Sequence, residues 1–379
     1  MELKISTAEL SKALGRSQGI VEKKSTMPIL SHVLLEAKKD TLIVSATDLD
    51  LAVSSEHGEG CEVLKEGALA VSARHLFDIV RSLPEQQVAL KKAHNNYLEV
   101  RSGPSEFRIV GLPAEDFPAL PRFEKVPFGD IDPKLLLDMV ERTIFAVSTD
   151  ETRYNLNGVY FEPSAEALRL VATDGHRLAL VERKVGANFG LKRGVILPKK
   201  GLQELRKLLQ EAVEKELVEG QAAETKLGFV ENSAIVRRPG VTLSMRLIEG
   251  LFPDYRQVVP KASDRAVKLG RDRFQETLRR ISLLSTDKAH AVKLELEKGL
   301  LRVSSQNPDL GEAKEEVPVE FEGEALKIGF NARYILDVLA VVQSKDVTFE
   351  LADDLSPGVL RGADEADQGF TAVVMPMRI

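Results

Sequence analysis

Three stretches of the chain follow one plan, spaced about 125 to 135 residues apart, which is far longer than the period of a solenoid repeat. The clearest correspondences join the first two copies: ATDLDLAV (46–53) with ATDGHRLAL (172–180), and LPAEDFPALP (112–121) with LIEGLFPDYRQVVP (247–260). The third copy is fainter, with SSQNPDLGEA at 304–313 and VVMPMRI at 373–379. The repeated unit is therefore a whole domain, and a symmetric surface is predicted rather than one catalytic cleft.

The length of 379 residues is sufficient for three domains that each bury a core of their own. Two Pro-containing stretches, near 125 and near 260, are typical of domain boundaries. The predicted domains are therefore 1–125, 126–260 and 261–379.

Composition excludes several classes of protein. A single cysteine, Cys61, cannot form an intrachain disulfide, and there is no Cys/His cluster for zinc. The N-terminus MELKISTAEL has no apolar h-region, and no run of eighteen apolar residues occurs. We expect a soluble protein of the reducing cytoplasm with no membrane partner.

Each third contains two similar halves, in which a helix is followed by strands. Helices are predicted to start at Thr7, at Ser72 as an N-cap, and at Asp132 with Pro133 in the first helical position. Two more are predicted over Lys199–Glu211 and Asp272–Ser285.

Strands alternate between apolar and polar residues, which is the pattern of a sheet with one face in solvent. The clearest case is AVKLELE at 291–297, which ends in a turn at Lys298 and Gly299. The predicted fold class is α+β, with antiparallel sheets and two helices per domain laid on one side.

The net charge of −6 argues against binding to nucleic acid, because phosphate neutralisation supplies most of that affinity. Lysine and arginine nevertheless concentrate on the predicted helices, whereas the strands and loops carry much of the acid. Two interpretations are open: ordinary solvated helix faces, or one basic surface formed by all the helices together. On the second interpretation, contacts to DNA would be to phosphates and independent of sequence.

Six segments together resemble the bacterial sliding clamps, the beta subunits of DNA polymerase III, and the resemblance spans the whole chain. The segments are TMPIL (26–30), RYNLNGVYFE (153–162), ATDGHRLAL (172–180), GLFPDYRQVVP (250–260), IGFNARYILDVL (328–339) and VVMPMRI (373–379). Because the six occur in the family's order on a triplicated chain, they are strong evidence together.

The resemblance implies a head-to-tail homodimer that closes six clamp domains into a ring around duplex DNA. The sheets would lie outside and the helices would line the hole, with no catalysis and no cofactor. The seam between subunits would pair Phe107 and Ile109 with Leu283 and Leu284 of the other subunit. The alternative is that these four side chains belong to the core.

The resemblance also implies sequence-independent contacts to double-stranded DNA. They fall on Lys24, Arg74, Tyr154, Lys199 and Lys200. Scattered positive charges of this kind would give a smooth lining with modest, salt-sensitive affinity.

A partner-binding cleft between the second and third domains is the other implied surface. Its residues would be Leu156, Thr173, Gly175, His176, Arg177, Leu178, Pro253, Val258, Val373, Val374, Met375, Pro376, Met377 and Arg378. The polymerase catalytic subunit, the clamp loader and repair polymerases would insert short extended peptides there. Methionine suits such a site, because its flexible side chain can repack around different ligands.

Two other classes of function compete with this interpretation. Asp174 and His176 could suggest acid–base chemistry, but no serine, cysteine or second histidine in the motif completes a nucleophile or metal site. A triplicated adaptor that binds only protein would need no basic lining. No phosphate-binding loop of the GxxxxGK[ST] type occurs, so ATP binding is not predicted.

Overall fold

A computed structural model of the protein describes residues 1–22, 26–121, 125–164, 166–220, 224–260, 265–285 and 290–378, and only the backbone of Glu219.

Six α-helices occur in the described residues, two in each third of the chain, as the sequence predicted. They are α1 (Thr7–Ser17), α2 (Ala73–Ser82), α3 (Pro133–Ile144), α4 (Lys199–Glu219), α5 (Arg271–Ser282) and α6 (Ala332–Val341). In this part of the chain no helix is both long enough and apolar enough to cross a membrane.

Side-chain capping hydrogen bonds mark the starts of α1, α3 and α6, whereas α2 and α5 have none. The Asp132 carboxylate accepts from the backbone N–H of Lys134 at 2.8 Å, which confirms the predicted cap of α3. Ser72 occupies the N-cap position of α2 as predicted, but its side chain makes no capping hydrogen bond. The Ser72 hydroxyl instead lies 3.0 Å from Nδ1 of His75. Helix α4 also runs eight residues beyond the predicted end at Glu211.

The strands of the first third are β1 (Glu2–Ser6), β2 (His32–Lys38), β3 (Thr41–Thr47), β4 (Leu51–His57), β5 (Glu62–Lys65), β6 (Gly67–Ser72), β7 (Gln87–Lys92), β8 (Tyr97–Ser102) and β9 (Ser105–Leu112). Those of the middle third are β10 (Phe128–Asp130), β11 (Gly158–Pro163), β12 (Ala167–Thr173), β13 (Arg177–Lys184), β14 (Val195–Pro198), β15 (Lys226–Val230), β16 (Ser233–Arg238) and β17 (Val241–Arg246). Those of the last third are β18 (Ala266–Gly270), β19 (Ala291–Glu297), β20 (Leu300–Asn307), β21 (Gly311–Pro318), β22 (Leu326–Asn331), β23 (Asp346–Glu350), β24 (Gly358–Gly362) and β25 (Phe370–Val374).

One compact unit comprises Met1–Lys134, Ala187–Leu191 and Lys200–Leu247. Its thirteen-stranded sheet has the order β10-β15-β16-β17-β4-β3-β2-β6-β9-β8-β7-β1-β5. The antiparallel pairing of β17 with β4, in which Leu243 faces Val53, joins the middle third to the first.

The second compact unit comprises Leu135–Gly186, Lys192–Lys199 and Ile248–Ile379. It contains an eight-stranded sheet of order β14-β11-β12-β13-β25-β24-β23-β18 and a four-stranded sheet of order β21-β20-β19-β22. The antiparallel pairing of β13 with β25 joins the middle third to the last. The middle third thus contributes to both units, and the boundaries near 125 and 260 stay predictions.

The internal repeat is visible in the hydrogen bonds of one turn. In both copies the threonine hydroxyl donates to a backbone carbonyl four residues on, from Thr47 at 3.0 Å and from Thr173 at 2.7 Å. The turn requires a positive φ, which is +81° at Leu49 and +88° at Gly175. The same backbone is therefore built with a leucine in one copy and with the glycine that this conformation favours in the other.

The predicted alternation of strand β19 is confirmed. Val292, Leu294 and Leu296 are each 1% exposed, and the chain turns at Lys298 and Gly299 into β20. Gly299 adopts a φ of +73°, as a tight hairpin turn requires.

A buried ion pair ties helix α3 to the segment before β25 within the second unit. Nη1 of Arg142 lies 2.5 Å from Oδ1 of Asp367, and the two side chains are 1% and 0% exposed. Asp367 also accepts from the backbone N–H of Ser344 at 2.8 Å and from its hydroxyl at 2.5 Å. Arg142 donates further to Asp138 at 2.6 Å. Both buried charges are therefore compensated by several partners, as such groups require.

Candidate functional site

An apolar cleft of about 130 Å³ lies within the second unit. Its lining residues come from a 3-10 turn, the turn between β12 and β13, the segment after β17, and the last strand. They are Leu156, Thr173, Gly175, Arg177, Leu178, Pro253, Tyr255, Val258, Val373 and Met375. All of these except Tyr255 belong to the cleft predicted from the resemblance.

Strand pairing explains how distant parts of the sequence meet in this cleft. Leu178 on β13 lies directly opposite Val373 on β25, and the backbone N–H of Met375 donates to the carbonyl of His176 at 2.9 Å. The last strand therefore places one wall against the other through the antiparallel ladder.

The other predicted cleft residues lie elsewhere. His176 is exposed, with its ring centroid 6.4 Å from that of Tyr334, and Val374 is buried next to Val373. Pro376, Met377 and Arg378 line a larger groove of about 1180 Å³ on the four-stranded sheet, which Met375 also borders.

The turn that carries Gly175 uses the Asp174 carboxylate to hold its backbone. Oδ1 of Asp174 accepts from the backbone N–H groups of His176 at 2.9 Å and Arg177 at 3.0 Å. Oδ2 accepts from Nε of Arg177 at 3.1 Å. The carboxylate is thus occupied by the turn, and this geometry does not orient it toward the His176 ring for acid–base chemistry.

Arg177 is a structural part of the cleft, because each nitrogen of its guanidinium already has a hydrogen-bond partner. Nη1 donates to Asp337 at 2.5 Å, Nη2 donates to the carbonyl of Phe145 at 2.7 Å, and the group lies 4.6 Å from the ring centroid of Tyr334. Its side chain is 11% exposed. These contacts fix the turn to helix α6, so Arg177 has little capacity left to bind a ligand ionically.

Tyr255 forms part of the cleft floor and was missed from the sequence. Its side chain is only 3% exposed, and its hydroxyl donates to Oε2 of Glu162 at 2.6 Å. Burial, together with this hydrogen bond, raises the pKa of Tyr255 to about 12. The available signal was an aromatic residue between Pro253 and Val258, both of which the resemblance had placed in the cleft.

The predicted DNA-contact residues are found in three different environments. Arg74 and Tyr154 are exposed, and Arg74 lies 3.8 Å from Asp78 one turn further along α2. The ammonium of Lys200 is bound by the Asp48 carboxylate and donates to the carbonyl of Ile20 at 3.1 Å.

Lys199 is the first residue of helix α4 and is partly buried. Its pKa is lowered, first by burial and then by the positive charge of Arg177. Lys24 lies outside the described residues.

None of the four predicted seam residues is fully buried, and Leu283 among them is exposed. Phe107 and Ile109 are half-buried on strand β9, which pairs with β6 only through Gly111 and Leu112. Leu283 directly follows α5 and is 77% exposed, whereas Leu284 is half-buried.

Comparison with known proteins covers the chain in three consecutive parts. Residues 1–121, 130–254 and 256–378 match the N-terminal, central and C-terminal domains of the DNA polymerase III beta subunit, respectively. The chain is 38% identical over 385 residues to the beta sliding clamp of Caulobacter vibrioides and 32% identical over 379 residues to that of Escherichia coli K12, with 100% of each chain covered.

Solved structures give the same result. A sliding clamp from Pseudomonas aeruginosa bound to griselimycin matches with a TM-score of 0.91 and 35% identity, covering 100% of both chains. The DNA polymerase sliding clamp of Bacillus subtilis matches with a TM-score of 0.92 at 27% identity, covering 100% of this chain and 99% of the other.

Proposed function

The chain belongs to the family of the DNA polymerase III beta subunits, the bacterial sliding clamps, and from this we propose that it closes as a head-to-tail homodimer around duplex DNA. Membership makes it a DNA sliding clamp, a processivity factor without catalytic activity, built from three clamp domains. Membership in this family also excludes the alternative of an adaptor that binds only protein. The proposed domain boundaries lie near 125 and 260, and the proposed site of action is the cytoplasm, where bacterial DNA is replicated.

The apolar cleft is the observation that carries the proposed tethering function. A preformed concave site with an apolar lining is the kind of surface that takes short peptides. We propose that the polymerase catalytic subunit, the clamp loader and repair polymerases bind here through extended segments. Met375 and Val258 are partly exposed at the cleft and would contact the peptide directly.

DNA contact is proposed for Lys24, Arg74, Tyr154, Lys199 and Lys200. The exposure of Arg74 and Tyr154 supports the assignment. Lys200 would have to exchange Asp48 for a phosphate, so its contribution is expected to be smaller than that of a free lysine. Contacts to phosphate carry no sequence information, which suits a ring that must slide.

Retention by topology is the test of encirclement. The protein is loaded on a nicked circular plasmid with a clamp loader and ATP, the plasmid is linearised, and the bound fraction is followed by gel filtration. We expect the bound protein to be lost on linearisation, because a ring slides off a free end. Survival on linear DNA would mean binding by contact and would rule out encirclement.

The proposed seam gives a second prediction. Leu283→Lys combined with Leu284→Lys is expected to convert the dimer to monomers, because two charges would have to be buried without partners at an apolar contact. Light scattering measures the mass. Leu217→Lys is the matched control, since Leu217 is an equally exposed leucine near a helix end, 73% against 77% for Leu283. A dimer mass that survives the double substitution contradicts the assignment of the seam.

A further inference from the structure

Three charged residues form a ladder behind the cleft, across neighbouring strands of the eight-stranded sheet. Arg169 on β12 lies directly opposite Glu162 on β11 and Glu182 on β13. Its Nη1 lies 3.1 Å from Oε2 of Glu162, and its Nη2 donates to Glu182. Opposite charges in direct cross-strand register attract one another, so the two ion pairs stabilise the positions of all three side chains.

Tyr255 connects this ladder to the cleft. Its ring lines the cleft, while its hydroxyl donates to Oε2 of Glu162 at 2.6 Å and accepts from Nη1 of Arg169 at 2.8 Å. A hydroxyl buried to this extent needs partners, and these two fix both of its roles, as donor and as acceptor.

The backbone of Tyr255 also sets the position of one cleft wall. Its carbonyl accepts from the N–H groups of Val258 at 3.0 Å and Val259 at 3.3 Å. The guanidinium carbon of Arg256 lies 4.8 Å from the centroid of the Tyr255 ring, and Nη2 of Arg256 donates to Oε1 of Glu162 at 2.6 Å. A displacement of Tyr255 would therefore be passed on to Val258, whose side chain lines the cleft.

We propose that Glu162 and Arg169 are positioning residues of the peptide cleft, which hold its floor and its Val258 wall in the binding shape through the Tyr255 hydroxyl. This inference rests on the proposed function of the cleft. A pocket that is already in its bound shape avoids the ordering cost that binding otherwise incurs.

The protonation states keep this network intact near neutral pH. The pKa of Tyr255 is raised to about 12, first by burial, so the phenol remains a donor. Burial opposes ionisation of Glu162, but hydrogen bonds from Tyr255 and Arg256 outweigh it and lower its pKa, so the carboxylate remains an acceptor.

Removal of the Tyr255 hydroxyl isolates its positioning role from the stability of the fold. In Tyr255→Phe, Glu162 keeps Arg169 and Arg256, and Arg169 keeps Glu162 and Glu182. The charges therefore stay paired and the aromatic ring stays buried. The substitution removes only the two hydrogen bonds that join the Tyr255 hydroxyl to Glu162 and Arg169.

The test measures the binding of a fluorescein-labelled extended hexapeptide with leucine side chains to the full-length protein by fluorescence anisotropy. Tyr255→Phe is expected to raise Kd roughly three- to tenfold. Glu162→Leu should raise Kd at least as much, whereas Glu162→Gln, which retains an acceptor oxygen, should recover part of the loss. The methyl signals of Val258 should shift in the NMR spectrum of Tyr255→Phe without peptide, a change that a loss of stability elsewhere would not produce.

Tyr160→Phe is the matched control. Tyr160 lies two residues before Glu162 on β11, and therefore on the same sheet face, and its ring stacks on Phe252 with centroids 5.0 Å apart. Among the described residues its hydroxyl has no hydrogen bond. Its loss should leave Kd and the Val258 signals unchanged.

The outcomes separate the inference from the function on which it rests. If the wild-type protein fails to bind the peptide, both the peptide cleft and the positioning role are overturned. If the wild-type protein binds but Tyr255→Phe and Glu162→Leu bind equally well with unshifted Val258 signals, only the positioning role is overturned. A Tyr255→Phe variant that does not fold leaves the comparison of Glu162→Leu with Glu162→Gln to decide, since a loss of binding without recovery by glutamine contradicts the role of the acceptor.

Discussion

Val258→Glu is expected to weaken the binding of a leucine-containing peptide to the cleft by at least about 30-fold, a loss of roughly 2 kcal/mol or more. The new carboxylate would lie at an apolar cavity of about 130 Å³. A bound peptide would remove water from this carboxylate without supplying a hydrogen-bond or ionic partner, and burial of an unpaired charge is energetically unfavourable. Fluorescence anisotropy with the labelled peptide measures the change.

The fold should tolerate this substitution, because the Val258 side chain is 42% exposed. Leu251→Glu is the matched control: it lies in the same segment, is 84% exposed and does not line the cleft. It should bind the peptide as the wild-type protein does. Equal binding by Val258→Glu and the wild-type protein would exclude this cleft as the site of peptide binding.

Arg142→Met is expected to lower the free energy of unfolding of the second unit by about 3–5 kcal/mol. Methionine replaces much of the arginine volume but leaves the Asp367 carboxylate buried without its ionic partner. Native-state hydrogen exchange of the Ser344 amide gives a direct measurement, because that N–H donates to Asp367 at 2.8 Å. Protection at this amide should fall by the same free energy.

Arg333→Met is the control for this substitution. Arg333 is an exposed arginine on helix α6 of the same unit, so the change should stay within about 0.5 kcal/mol. A comparably small loss for Arg142→Met would mean that the buried pair contributes little to the fold.

The same pair predicts a pH dependence. Burial opposes ionisation of Asp367, but hydrogen bonds from Ser344 and Arg142 outweigh it and lower its pKa. A carboxyl group with a depressed pKa stabilises the folded state fully above its ordinary pKa of about 4, and this contribution is lost as the pH falls through the folded value. The stability advantage of the wild-type protein over Asp367→Asn should therefore shrink below about pH 4, as measured by denaturant unfolding at a series of pH values.

The fold was predictable where local rules act alone. The Asp132 cap, the alternation of Val292, Leu294 and Leu296, and the count of two helices in each third follow from patterns within a few residues or from the repeat. Ser72 was predicted correctly as the N-cap residue of α2, but its hydroxyl contacts His75 instead of a backbone N–H. The physical reason is that a serine hydroxyl has several partners within reach, and the sequence does not rank them.

The site was predictable only as far as the resemblance extended. Tyr255 was not predicted as a cleft residue, because its position depends on hydrogen bonds to Glu162 and Arg169, which lie more than eighty residues earlier in the chain. The pairing of Lys200 with Asp48 likewise joins residues 152 positions apart. Such contacts depend on tertiary geometry, which residue type and periodicity do not specify.

The joins between the thirds of the chain have a mechanical consequence. At each join, two antiparallel strands from different thirds pair within one sheet. Five residues of β17 pair with five of β4, and five residues of β13 pair with five of β25. To open either join, several backbone hydrogen bonds would have to break together and expose their polar groups. In the proposed ring, a force that opens it would therefore separate the protomers before it opened either of these two shared sheets.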